Sequence, residues 1–181
     1  MEWSLMITGF IGDETAYALL KERKEKLLER YSPEFIEKAR KQLEGYERTD
    51  VPDILSDMED TKLFHIGGQG LNSSLWLFAE ELSAGFKIHL DNIPMHQCAV
   101  EFTDVFDLNI YDVPSGGSFI ICTKDRDQVS ERLEKAGISV REAGVFNGTN
   151  KRIFITHEGI TRYAGRPGDE ENNYYETGGQ K

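Results

Sequence analysis

The chain has 181 residues, with 32 Asp plus Glu against 21 Lys plus Arg and a formal net charge of -11. That length fits a single domain of ordinary size, and so acidic a surface repels phosphate backbones, so nucleic acid is not expected as a partner. No stretch approaches the roughly 18 consecutive apolar residues of a membrane span, the N-terminus lacks a basic leader-like region, and Cys98 and Cys122 form neither a CxxC pair nor a disulfide framework; the expectation is a cytoplasmic protein with no membrane contact and two buried thiols.

The apolar run Trp3 to Thr8 turns at Gly9-Phe10-Ile11-Gly12-Asp13 into a charged helix, Glu14 to Arg30, with a narrow apolar stripe. Ser32-Pro33 restarts the chain as a second helix, because serine suits the N-cap and proline the first turn, and Gly45 ends it. Asp50, Asp53, Asp57, Glu59 and Asp60 follow without the central glycine of a calcium loop, so they read as a solvated acidic stretch and not as a metal site. Leu63-Phe64-His65-Ile66 is a short apolar strand that enters the glycine turn Gly67-Gly68-Gln69-Gly70. A helix runs from Leu71 through Leu75, Phe78, Ala79 and Leu82, with Gly85 as its stop before the strand Phe86 to Leu90.

A further helix spans about Pro94 to Phe106, and the linker Asp107 to Pro114 leads to a second glycine turn, Ser115-Gly116-Gly117, ahead of the strand Phe119 to Thr123. Asp127 to Ala136 reads as an amphipathic helix closed by Gly137, and Ile138 to Phe146 as the strand after it. Asn147-Gly148-Thr149-Asn150 reads as a hairpin turn that pairs this strand with Arg152 to Thr156. Residues 1–168 are expected to form one domain, with a strand and helical segment over 1–60 and a sheet core over 61–168, and residues 169–181 a flexible tail.

The first glycine turn is the strongest candidate site. A strand-to-helix turn can present backbone N–H groups at a helix N-terminus, where hydrogen bonding and the helix dipole favour an anion such as phosphate. Gly67, Gly68, Gln69, Gly70 and Asn72 are the candidates there, and Ser115, Gly116 and Gly117 at the second turn. The competing and preferred reading is structural, since tight turns need glycine whether or not anything binds. His65, His89, His96 and His157 lie on different elements without the i, i+4 spacing of a zinc helix, so no metal ligand is assigned. Ser115 lacks the strand-to-helix elbow of a nucleophile, so no catalytic residue is assigned. Trp76, Phe78, Phe102 and Phe106 fall at helical spacings that suit a core.

In this order the pieces resemble the C-terminal domain of the aminoimidazole ribonucleotide synthetase superfamily, near its hydrogenase-maturation branch. The matching stretches are Thr8-Gly9-Phe10-Ile11-Gly12 with Thr15-Ala16, Gly68-Gln69-Gly70 leading to Ser74-Leu75-Trp76, and Ile93-Pro94. They continue through Phe106-Asp107-Leu108-Asn109, Ser115-Gly116-Gly117-Ser118, Leu133-Glu134-Lys135-Ala136-Gly137-Ile138, Ala143-Gly144-Val145 and Arg166-Pro167-Gly168-Asp169-Glu170. The resemblance implies an α/β domain, a mixed sheet flanked by helices and related to the ferredoxin-like arrangement. It also implies that ATP and magnesium would bind only with a complementary N-terminal domain, which supplies the acidic half of the family's site.

Two departures matter. The family turn His-Asp-Val-Thr-Glu-Gly-Gly is replaced by His65-Ile66-Gly67-Gly68-Gln69-Gly70, without the aspartate and threonine, and the maturation factor's terminal cysteine is unmatched. Phosphoryl transfer rests on positioning and on metal and cationic charge, so a chain without those groups is not expected to catalyse it alone. The expected role is a non-catalytic binding or interaction protein, self-associating or docking on a protein partner, with Phe10, Ile11, Leu19 and Leu20 as candidate contacts. The alternative is the C-terminal half of a split ATP-dependent phosphoryl-transfer enzyme. A third reading is a sensor for a nucleotide or phosphorylated small molecule.

Overall fold

The computed structural model describes residues 2–168 and 174–176. Its strands are β1 (Trp3–Thr8), β2 (Thr61–Gly67), β3 (Gly85–His89), β4 (Ser115–Thr123), β5 (Val140–Asn147), β6 (Arg152–Ile155), β7 (Thr161–Ala164) and β8 (Tyr174–Glu176). They form one sheet in the order β2-β4-β1-β5-β3-β6-β7-β8. The β3–β6 pair is parallel and the other six pairings are antiparallel, so the sheet is mixed. The order β2-β4-β1-β5, in which β1 separates β4 from β5, is the strand arrangement of a ferredoxin-like unit with β3 added beside β5.

Helices cover both faces. They are α1 (Asp13–Glu22), α2 (Lys24–Leu28), α3 (Pro33–Leu43), α4 (Val51–Ile54), α5 (Gly70–Glu81), α6 (Gln97–Val105) and α7 (Arg126–Lys135). Alternation along β1 divides the core, because neighbouring strand residues point to opposite sides. Leu5 and Ile7 join Leu20, Leu27, Ile36, Phe78 and Phe102 under α1, α2, α3, α5 and α6. Met6 faces the other way, with Val51, Leu55, Ile121, Val129 and Leu133 under α4 and α7. Phe78 lies edge-on to Phe146 with centroids 5.4 Å apart, and complete burial of such a ring stabilises the fold by about 1.5–3 kcal/mol. Among the described residues no helix is long and apolar enough to cross a membrane.

Several local expectations are corrected. The charged segment after Asp13 is two helices and not one, since Arg23 leaves the helical region at φ -128. No spacing marks that break, because Leu20 and Leu27 stand seven residues apart, as on one straight helix. Ser32 does cap α3, accepting from the Phe35 N–H at 3.2 Å, with Pro33 in the first turn. Helix α5 stops before Gly85: Ser83 takes the left-handed conformation at φ 51, and the Ala84 N–H closes back on the Ala79 carbonyl at 2.9 Å.

The hairpin expected around Asn147–Asn150 does not pair β5 with β6, because β3 lies between them. The connecting loop instead crosses the start of β3. A Cβ on Gly85 would stand 2.2 Å from the Lys151 carbonyl oxygen and 2.6 Å from that of Thr149, so this glycine is fixed by the crossing and not by a helix end. Within the expected tail, Tyr174–Glu176 forms β8 against β7, as suits two strand-favouring tyrosines. The rest of that tail, 169–173 and 177–181, lies outside the described residues.

Candidate functional site

Strand pairing brings the two glycine segments to one end of the sheet. Gly67 of β2 registers with Ser115 of β4. His65 joins them: its Nε2 lies 2.5 Å from the Gly116 carbonyl, which can only accept, so that nitrogen carries the proton. The imidazole rests on Phe119 with centroids 4.9 Å apart.

The first turn is built as a helix entry. Gly67 and Gly70 take positive φ, 56 and 75 degrees. A Cβ on Gly70 would approach the Asp112 backbone to 2.6 Å, so the contact between α5 and the loop before β4 demands glycine. Gly68 differs. It is exposed, has no positive φ, and a Cβ there would meet nothing within 4 Å, so the fold itself does not require glycine at this position.

Helix α5 has Gln69 at its N-cap, no side-chain cap and no acidic residue in its first turn. The Gln69 amide turns inward and donates to Ser74 Oγ at 3.2 Å, while that hydroxyl meets the Ile66 and Gly70 carbonyls at 3.0 and 2.7 Å. Asn72 is occupied by the neighbouring loop: its backbone N–H donates to the Tyr111 carbonyl at 3.0 Å and its side-chain amide to Asp112 Oδ1 at 2.7 Å. Asn109 holds the other oxygen of Asp112 at 2.5 Å, so a fixed carboxylate already stands beside this helix entry.

The second segment is not a turn. Ser115, Gly116 and Gly117 are the first residues of the nine-residue strand β4, where ladder pairing continues the strand past Phe119. Ser115 Oγ accepts from the Gly12 N–H at 2.8 Å and donates to the Val113 carbonyl at 3.3 Å. The Gly116 N–H donates to Glu14 Oε2 at 2.6 Å. A Cβ on Gly117 would stand 1.8 Å from the Tyr46 carbonyl oxygen, so this glycine serves close packing. Glu14 thus places the protein's own carboxylate where an anion would meet this backbone.

A neighbouring pair escaped the sequence reading. The Asp13 carboxylate, with a side chain only 6% exposed, accepts from His96 Nδ1 at 2.9 and 3.1 Å, and His96 stacks on Phe10 at 3.6 Å between centroids. Burial pushes the Asp13 pKa up, while the hydrogen bond and charge of His96 pull it down. The pair ties the Gly9–Asp13 turn to the start of α6. Eighty-three residues separate the partners, so no local spacing reports them.

Other expected roles shift as well. In the acidic stretch, Asp50 pairs with Arg48 at 2.8 Å, Asp60 with Lys124 at 3.0 Å, and Asp57 with Arg132. Ile11 and Leu20 are core residues, while Phe10 on His96 and Leu19 against the core are half-buried, so only part of the expected contact reaches the surface; among the described residues the exposed large apolar ones are Leu28, Leu77, Val100, Leu108 and Ile160. Phe78 and Phe102 are buried as expected, but Trp76 is half-buried under the Arg152 guanidinium, 3.9 Å from the ring centroid. Burial raises the pKa of both Cys98 and Cys122 to about 11, so each is a protonated thiol at neutral pH and a poor nucleophile.

Comparison with solved structures places this geometry. HypE from E. coli, a hydrogenase maturation protein, superposes with a TM-score of 0.72 at 17% identity, over 91% of this chain and 50% of that one. The fold is that of the C-terminal half of HypE. HypE in a HypE–HypF complex matches with a TM-score of 0.66 at 15% identity, covering 91% of this chain and 53% of the other. Thiamine-monophosphate kinase from Stenotrophomonas maltophilia K279a matches with a TM-score of 0.63 at 14% identity, covering 86% and 50%. Both are aminoimidazole ribonucleotide synthetase-like folds, and the chain spans about half the length of each. No family model and no curated protein matches the sequence.

Proposed function

We propose that this chain is a binding module on the HypE-like carboxyl-terminal fold, non-catalytic by itself, that docks on a protein partner or a second copy. The observation that carries this reading is the Glu14 carboxylate on the Gly116 N–H, at 2.6 Å. The Gly12 N–H on Ser115 Oγ likewise engages the second glycine segment from within the protein, and the Asp112 carboxylate stands beside α5, although the buried Asn72 Oδ1 there has no partner. A phosphate arriving there would displace one carboxylate and stand beside another, with strong like-charge repulsion.

Two further facts support docking. Leu28, Leu77, Val100 and Leu108 are each at least 40% exposed and are the large apolar side chains most available for a contact. HypE, whose fold this is, has been captured in a complex with HypF. A place in hydrogenase maturation is the corresponding role. Sedimentation velocity tests the self-association arm, and affinity purification from the native cells tests the partner arm. A dimer, or a stoichiometric partner released by Leu77→Asp or Val100→Asp, is the expected result. A monomer at all concentrations that co-purifies with nothing overturns the proposal.

The open entry to α5 supports a second reading, in which the chain is one half of a split ATP-dependent enzyme and a separate polypeptide supplies the magnesium-binding carboxylates. Gly68, exposed and unobstructed, would then face the nucleotide phosphates, with Gly67, Gln69 and Gly70 forming the turn. In this case ATP with magnesium is hydrolysed only by the reconstituted pair, and Gly68→Val removes that activity while the melting temperature is unchanged. Retention of activity in Gly68→Val overturns it.

A further inference from the structure

At the end of the sheet opposite the glycine segments a cleft of about 230 Å³ opens between the C-terminal end of α5 and the strands. Cys122 and Phe146 belong to the buried core at this cleft, and Trp3, Leu82 and Ala84 pack against that core beside them. Lys62, Ser83, Asn147 and Gly148 complete its lining. Among the described residues this lining holds no acidic side chain, in a protein with 32 of them, and one charged group, the Lys62 ammonium.

Two lysines stand near Trp3, and they differ. Lys124 lies 4.6 Å from the Trp3 ring centroid and is neutralised by Asp60 at 3.0 Å. Among the described residues no carboxylate makes an ion pair with Lys62. Its charge is nonetheless felt in the cleft, where burial raises the pKa of the Cys122 thiol and Lys62 pulls it down. The carbonyls of Phe78, Ala79 and Glu80 at the C-terminal end of α5 accept from Leu82, Ala84 and Ser83, and this negative end of the helix repels an anion, so the anionic end of a ligand belongs on the Lys62 side.

We propose that this cleft binds a small aromatic carboxylate, its ring between Trp3 and Leu82 over Phe146 and its carboxylate on Lys62. The volume lies below the roughly 300–1,000 Å³ of typical drug-sized sites, so one or two fused rings fit. An amine is disfavoured for want of an acidic residue in the described lining, and a carboxylate gains an ion pair with the exposed Lys62 that a purely apolar ligand cannot make. The site shares no residue with the glycine segments, so its existence does not depend on the docking role.

Indole-3-propionate and its neutral amide are the probes, titrated into the isotopically labelled full chain by amide NMR and calorimetry. Saturable shifts at Trp3, Ser83, Ala84 and Gly148, with the carboxylate bound about tenfold more tightly than the amide, are the expected result for a charge-assisted hydrogen bond. Lys62→Gln removes that preference, and Gly148→Leu, at a position where a Cβ meets nothing within 4 Å, blocks both probes. Unchanged melting temperatures verify that both variants fold. No saturable shift at these residues, shifts confined to Gly67–Gly70, or equal affinity for acid and amide overturns the proposal.

Discussion

Gly68 and Gly70 sit two residues apart in one turn, yet they answer to different causes. Gly70 has φ 75 and backs onto the Asp112 backbone at 2.6 Å, so Gly70→Ala forces either the loop or the helix to move and is expected to cost about 2 kcal/mol or more. Gly68→Ala meets open space, and its effect on stability is expected to stay within about 0.5 kcal/mol. Urea denaturation of the two variants measures the difference, and equal losses would show that the turn is not read correctly. Asp13 ties stability to pH. Its native pKa lies above the ordinary 3.8, so the native state holds this proton more tightly than the unfolded chain. The contribution is therefore full below pH 3.8 and is lost as pH rises through the raised native value. The stability of the parent relative to Asp13→Asn is expected to be greater at about pH 3.5 than at about pH 6, because asparagine does not titrate. A flat difference across that range contradicts the assignment.

Among the elements, β3 shows how a loop and a strand constrain one another. The Phe86 N–H donates to the Lys151 carbonyl at 3.0 Å, and the same loop covers Gly85. Gly85→Ala is expected to open this crossing and free β6 from β3, with earlier melting and selective loss of amide protection over Arg152–Ile155, seen by hydrogen exchange. Loss spread evenly over all eight strands would instead mark a general folding defect. Helix α3 behaves more simply. Ser32 caps it, Pro33 starts it and Ile36, Ala39 and Leu43 face inward, so local chemistry and burial agree on its start and orientation.

For the whole molecule, protection should fall outward from β1. That strand lies between β4 and β5, and Leu5, Met6 and Ile7 are at most 2% exposed across its two faces. The β7 side chains are all only half-buried, between β6 and the short β8. Native-state hydrogen exchange is expected to be slowest over Leu5–Ile7 and faster by orders of magnitude over Thr161–Ala164. Equal rates would mean that the sheet opens as a single unit. The acidic charge acts over the whole surface: it disfavours nucleic acid, and docking through Leu77 and Val100 must overcome its repulsion between two copies, so self-association is expected to strengthen with salt.

The sequence by itself determined most of the longer helices and strands, the α/β class and the glycine entry to α5, because apolar periodicity, caps and turn chemistry act over a few residues; the short β7 and β8 carried no such signal. Ser32-Pro33 and the run from Leu63 to Gly70 are legible in that way. Only the tertiary structure decided that β3 separates β5 from β6, that Ser115-Gly116-Gly117 is strand and not turn, and that Glu14 and Asp13 find Gly116 and His96. Those outcomes depend on pairings between residues tens to more than a hundred positions apart, where the geometry of the sheet sets which groups meet and the spacing along the chain carries no trace of it.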